Sequence, residues 1–242
     1  MVKCLSKVIL ILLLFWLCGC LTPVDESYTH SIEYRITVGF TNLQMDPLEV
    51  DEVHDFILIV PIPIREGPIE LRNLSVPDGW EAEIVETPYG EMLKLRTERV
   101  KTWVWSHLPV PVGSNETPET VKKAAFYDFE LRLDFDREIN TLNPLEDEYV
   151  LKPKLNLWEV SCPNDYLEHY RNVKCYRYAT IVFYNSSPAI SVNVNVWLNG
   201  RNTWFQAGWT GNEFDDYIFA DLSRVGWSNI TGNLTVGMGV YE

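Results

Sequence analysis

The sequence predicts an all-β fold, with antiparallel strands packed as a two-sheet sandwich, on three observations. Several stretches alternate apolar and polar residues with the two-residue period of a half-buried strand. Turn signals separate them: Pro77-Asp78-Gly79, Pro88-Tyr89-Gly90, Asn185-Ser186-Ser187-Pro188 and Asn199-Gly200. Helical periodicity is weak, while aromatic residues, which favour strands, reach 13% of the chain with nine tryptophans.

Taken in order, Ile32, Tyr34, Ile36, Val38 and Phe40 alternate with Glu33, Arg35, Thr37 and Gly39, which gives the first strand one buried face. Phe56 to Val60 is apolar on both faces and suits a central strand. Pro61 and Pro63 then end its ladder, because proline donates no backbone hydrogen bond. Strands are expected near 80–86 and 92–97, and a short helix at 119–125. Phe129, Leu131, Leu133 and Phe135 alternate with Asp128, Glu130, Arg132, Asp134 and Asp136. The stretch 140–153, rich in Pro, Asn and acid, either divides two β subdomains or crosses one sandwich as a long loop. Beyond it, strands are expected near 178–184, 203–209 and 217–220. Ile190 to Leu198 and Leu234 to Val240 give two more alternating runs.

The N-terminus reads differently. Lys3 and Lys7 precede ten unbroken apolar residues, Val8 to Leu17. That run suits a signal-peptide helix and is too short to span about 30 Å of hydrocarbon. Leu17-Cys18-Gly19-Cys20 follows and resembles the lipobox of prokaryotic membrane lipoproteins. The resemblance implies cleavage between Gly19 and Cys20 and a diacylglyceryl-type lipid on the Cys20 sulfur, holding the chain on the extracytoplasmic face of the cell membrane. Thr22-Pro23-Val24-Asp25-Glu26 ends the apolar run, which speaks against an uncut membrane helix. The organisation expected is thus a signal peptide over 1–19, a lipid-anchored tether over 20–31 and a β-sandwich domain over 32–242.

Charge and cysteines bound the rest. The chain of 242 residues has net charge −14; losing residues 1–19 removes Lys3 and Lys7 and no acid, leaving −16. With no basic patch in the folded part, nucleic acid is not an expected partner. Cys4 and Cys18 leave with the signal and Cys20 takes the lipid, so Cys162 and Cys175 remain as one pair in an oxidising compartment. We expect a disulfide between them, worth about 3 kcal/mol for a loop of this size. Neither a CxxC motif nor paired histidines suggest a metal site.

Motifs for catalysis are absent from the sequence: the four histidines lie far apart, and no nucleophile elbow, zinc-protease motif, phosphate loop or dinucleotide fingerprint occurs. No cofactor is expected, and the chain is not read as an enzyme. Asn212, Glu213, Asp215, Asp216 and Asp221 form a dense acidic stretch, whose spacing matches no calcium loop. Trp197 falls on the polar side of its strand with Asn193, Asn195 and Asn199. An indole among amides is a candidate sugar platform, since sugar C–H faces stack on rings while hydroxyls bond to amides. The alternative is that a second layer covers Trp197 as core. Five Asn-x-Ser/Thr sites, at Asn73, Asn115, Asn185, Asn229 and Asn233, are candidate glycosylation sites.

The body resembles uncharacterised archaeal envelope lipoproteins through Val60-Pro61-Ile62-Pro63, Trp80, Pro88-Tyr89-Gly90-Glu91-Met92-Leu93, Gly208-Trp209-Thr210-Gly211-Asn212, Gly226-Trp227 and Gly237-Met238-Gly239-Val240-Tyr241. The resemblance implies a location and a β fold but no catalytic residues. The function expected is a lipid-anchored surface protein whose non-catalytic domain contacts an envelope protein or glycan. A carbohydrate-binding module is the alternative, and a glycoside-acting enzyme using clustered acids comes third.

Overall fold

The computed structural model describes residues 28–41, 49–108, 117–205 and 209–241. The first half contributes strands β1 (Thr29–Gly39), β2 (Glu52–Val60), β3 (Ile62–Ile64), β4 (Glu81–Thr87), β5 (Gly90–Lys101), β6 (Trp103–His107), β7 (Thr120–Ala124) and β8 (Phe126–Phe135). The second half contributes β9 (Val150–Lys152), β10 (Leu155–Val160), β11 (Lys174–Ser187), β12 (Val192–Phe205), β13 (Trp209–Leu222) and β14 (Gly226–Gly239). Helix is confined to short segments at Pro144–Asp147 and Asn164–His169 among the described residues. None of their helices is long and apolar enough to cross a membrane.

The fold is all-β and antiparallel, and its two layers are halves of one continuous sheet. The strand order is β4-β5-β2-β11-β14-β13-β12-β1-β8, with β10 pairing beside β2 on the free edge of β11. β1 and β2 stand five steps apart along that order, yet the rings of Phe40 and Phe56 meet at 5.5 Å and Tyr34 Oη donates to the Pro61 carbonyl at 2.8 Å. The sheet therefore curls until its ends face each other across one core. Trp80 closes the gap, edge-on to Phe56 and Phe129 at 5.2 Å each. The segment before it covers the edge of β8: Ser75 N donates to the Glu130 carbonyl at 2.8 Å. This protects an edge that would otherwise invite pairing with another chain.

The alternation read from the sequence sets the faces. Ile32, Tyr34, Ile36 and Val38 point inward with Phe129 and Leu131, and join Val194, Val196 and Leu198 in the same cluster. That cluster takes residues from both sides of 140–153, a segment holding a helical turn and β9, which pairs with β3. Each large apolar side chain buried this way contributes about 1.5–3 kcal/mol.

Three local expectations need correction. Asn199-Gly200 is no turn: β12 runs straight through it. The glycine is there for space, since a Cβ on Gly200 would lie 2.1 Å from the Phe214 ring. Residues 120–124 form β7 rather than a helix, because pairing with β6 satisfies their backbone. Strand β1 begins at Thr29, so residues 29–31, assigned to the tether, are sheet; their backbone pairs with β12.

Candidate functional site

Register builds the face that carries Trp197. Glu130, Arg35, Trp197 and Tyr217 lie side by side across β8, β1, β12 and β13. The indole is half-buried. Its Nε1 donates to Asp215 Oδ1 at 3.1 Å, and Asn199 Nδ2 donates to the same oxygen at 2.9 Å. Arg35 sits over the ring, 5.7 Å from its centroid, and forms an ion pair with Glu130 at 2.7 Å. Trp197 is thus on the outer face, but an arginine caps it. Asn193 donates to Asp221 and accepts from Thr41. Asn195 Oδ1 is buried without a hydrogen-bond partner among the described residues. Burial raises the Asp215 pKa, and nearby Glu213 adds to this; the bonds from Asn199 and Trp197 oppose it.

The acids around it do not converge. Asp215 faces outward and Asp216 inward on adjacent positions of β13, so the pair shares no cleft. Asn212 is also inside, whereas Glu213 and Asp221 are outside. Asp216 is fully buried: Tyr178 Oη donates to it at 2.6 Å, Leu151 N at 2.8 Å, and Lys154 forms an ion pair with it. Burial brings the Lys154 pKa down to about 8, against the attraction of Asp216. This is a structural knot tying the 150–154 segment to β11 and β13. The row Asp128, Glu130, Asp134 on β8 is exposed and neutralised in part by Arg35 and Arg132, which lies 3.0 Å from Asp134. Among the described residues no group of three or more His, Cys, Asp or Glu is placed to hold a metal ion.

Cys162 and Cys175 form a disulfide with Cα atoms 5.2 Å apart, which closes the loop carrying the Asn164–His169 helix. Of the candidate glycosylation sites, Asn73 is exposed on a turn, Asn229 and Asn233 are exposed on β14, and Asn185 is half-buried on β11. Asn115, and Gly19 and Cys20 of the lipobox-like segment, lie outside the described residues.

One feature was not singled out from the sequence. β6 and β7 form a separate two-stranded hairpin, whose base joins the C-terminal end of β1: Phe40 N donates to the Ala125 carbonyl at 3.1 Å, and Ala125 N to the Thr102 carbonyl at 2.9 Å. Trp103, Trp105 and His107 share one face, with Lys122 opposite Trp105. Trp103 and Trp105 meet edge to face at 5.1 Å. Trp103 is anchored: its Nε1 donates to Asp51 Oδ1 at 2.5 Å, and Lys122 Nζ lies 4.5 Å from its ring and 2.8 Å from the same carboxylate. Hydrogen bonds from Lys122 and Trp103 hold the Asp51 pKa below its usual value. Trp105 is 65% exposed, against 46% for Trp158 and 40% for Trp227. The signal available in the sequence was Trp-x-Trp, whose period of two places both indoles on one side of a strand.

Compared with protein-family models, curated proteins and solved structures, the chain matches none of them. The outer sheet face is a mesh of ion pairs around one capped indole; the hairpin presents an anchored ring and an exposed one.

Proposed function

We propose that the protein is a lipid-anchored extracytoplasmic binding protein, and that the hairpin β6–β7 is its contact with another envelope component. The observation that carries this reading is Trp105, a large indole left in solvent while Trp103 beneath it is fixed by Asp51 and Lys122. Tryptophan on a rigid support is the residue type that dominates binding energy at protein contacts. Position supports it too. The lipid is proposed at Cys20, before the start of β1, and the hairpin joins the other end of that strand. An extended strand of 11 residues spans about 35 Å. The anchor would then leave the hairpin facing away from the bilayer.

Co-purification from native membranes tests this reading. Wild-type protein should retain a stoichiometric envelope component that Trp105→Ala loses, with unchanged folding of the variant. Equal recovery with both proteins would remove the hairpin from the account.

A carbohydrate-binding module is the second reading, favoured by the orphan Asn195 Oδ1 beside Trp197. A glycan bound there would displace Arg35 from the indole. Glycan-array binding abolished by Trp197→Ala would support it.

A further inference from the structure

A pocket of about 470 Å³ lies at the Thr29 end of β1, opposite the hairpin. Arg201 and Thr203 of β12 and Thr210 and Glu213 of β13 line it, and Tyr170 forms part of its wall. Tyr170 belongs to the loop closed by Cys162–Cys175. The loop is also held at Gly237, whose φ of +74° and missing Cβ admit the Asn172 carbonyl; a Cβ there would lie 2.3 Å from that oxygen. The wall is thus positioned by covalent and steric constraints that the outer-face mesh does not need.

The charges in this pocket are only partly met. Arg201 and Glu213 stand directly opposite each other across β12 and β13, a position from which such side chains reach one another. No ion pair joins them among the described residues. Glu213 Oε2 accepts from Asn199 Nδ2 at 3.2 Å instead. Arg201 Nη2 lies 3.6 Å from Glu33, whose same oxygen is already held at 2.7 Å by Arg132. Arg201 Nε is buried with no hydrogen-bond partner among the described residues. A buried donor left unmade is costly, and a guanidinium is built to bind an anionic group through paired donors. A carboxylate a strand away, beside two threonine hydroxyls, suits an ammonium.

We propose that this pocket binds a small zwitterion, with its anionic group on Arg201 and its ammonium on Glu213. A free α-amino acid and a zwitterionic phospholipid headgroup share that chemistry, and the pocket's volume lies in the range of small-ligand sites. The site is independent of the hairpin and of any partner bound there.

The test is calorimetric titration of the full-length protein in detergent with L-alanine and, separately, with phosphoethanolamine. Acetate and ethylammonium, each carrying one charge, serve as controls. We expect saturable binding of at least one zwitterion, with each single-charge control about tenfold weaker or more. Arg201→Gln and Glu213→Gln should each weaken it by about tenfold or more while keeping the wild-type melting temperature, as loss of a charge-assisted hydrogen bond does. Binding of alanine alone assigns a free amino acid, and binding of phosphoethanolamine alone assigns a headgroup. Binding of neither, or binding unchanged in both variants, overturns the proposal.

Discussion

Replacing Asp216 with asparagine should cost the fold more than any comparable polar change on its surface. The carboxylate has no contact with solvent and serves three partners: Tyr178, the backbone of Leu151, and the ammonium of Lys154. Asp216→Asn keeps the shape and one acceptor oxygen but removes the charge. Lys154, whose side chain is itself almost fully buried, then holds an uncompensated charge. Breaking a buried pair in this way costs about 3–5 kcal/mol, a large share of a domain's stability. The sign of the pH dependence follows from Lys154. Its folded pKa of about 8 lies below the unfolded value of 10.5, so between those values the unfolded chain holds more protons and stability rises with pH. Without Asp216 the folded pKa drops further. The penalty is then heavy at neutral pH and shrinks as the medium itself removes the lysine proton. Urea denaturation of both proteins at pH 7 and at about pH 9.5 reads this directly. A loss below about 1 kcal/mol at pH 7, or one that is the same at both pH values, would refute the reasoning.

Two further variants probe the outer face and the staple. Asp215→Asn should raise stability at pH 7: the fold pushes the Asp215 pKa up, so ionising it disfavours the native state, and the gain should vanish below the ordinary carboxylate pKa of about 3.9; thermal melts at pH 7 and pH 3 check it. Cys162→Ser with Cys175→Ser should lower stability by about 2–4 kcal/mol, measured by urea denaturation against the oxidised wild type.

How much of this was legible in the sequence depended on distance along the chain. The alternation from Ile32 to Phe40 fixed which face of β1 is buried, and that of Val192 to Leu198 put Trp197 outside; both are local patterns of period two. Asn199-Gly200 misled, because the same dipeptide that makes a turn also makes room for a ring arriving from Phe214 on the next strand. The charge pair of Lys154 and Asp216 is separated by 62 residues and is joined only by folding. The curl of the sheet was equally out of reach, since alternation says which side of a strand is buried but not whether two layers are one sheet or two. The Arg201 pocket depends on Tyr170, brought across by the disulfide-closed loop, so no local motif announces it. Arg35 over Trp197 arises from strand register, which alternation alone does not specify.

The proposed anchoring turns on a single sulfur atom. Mass spectrometry of the protein isolated from its native membranes is the direct measurement. The expected result is an N-terminal peptide that begins at Cys20 and carries a diacylglyceryl-type lipid. A peptide that still contains residues 1–19, with the Cys20 thiol unmodified, would contradict it.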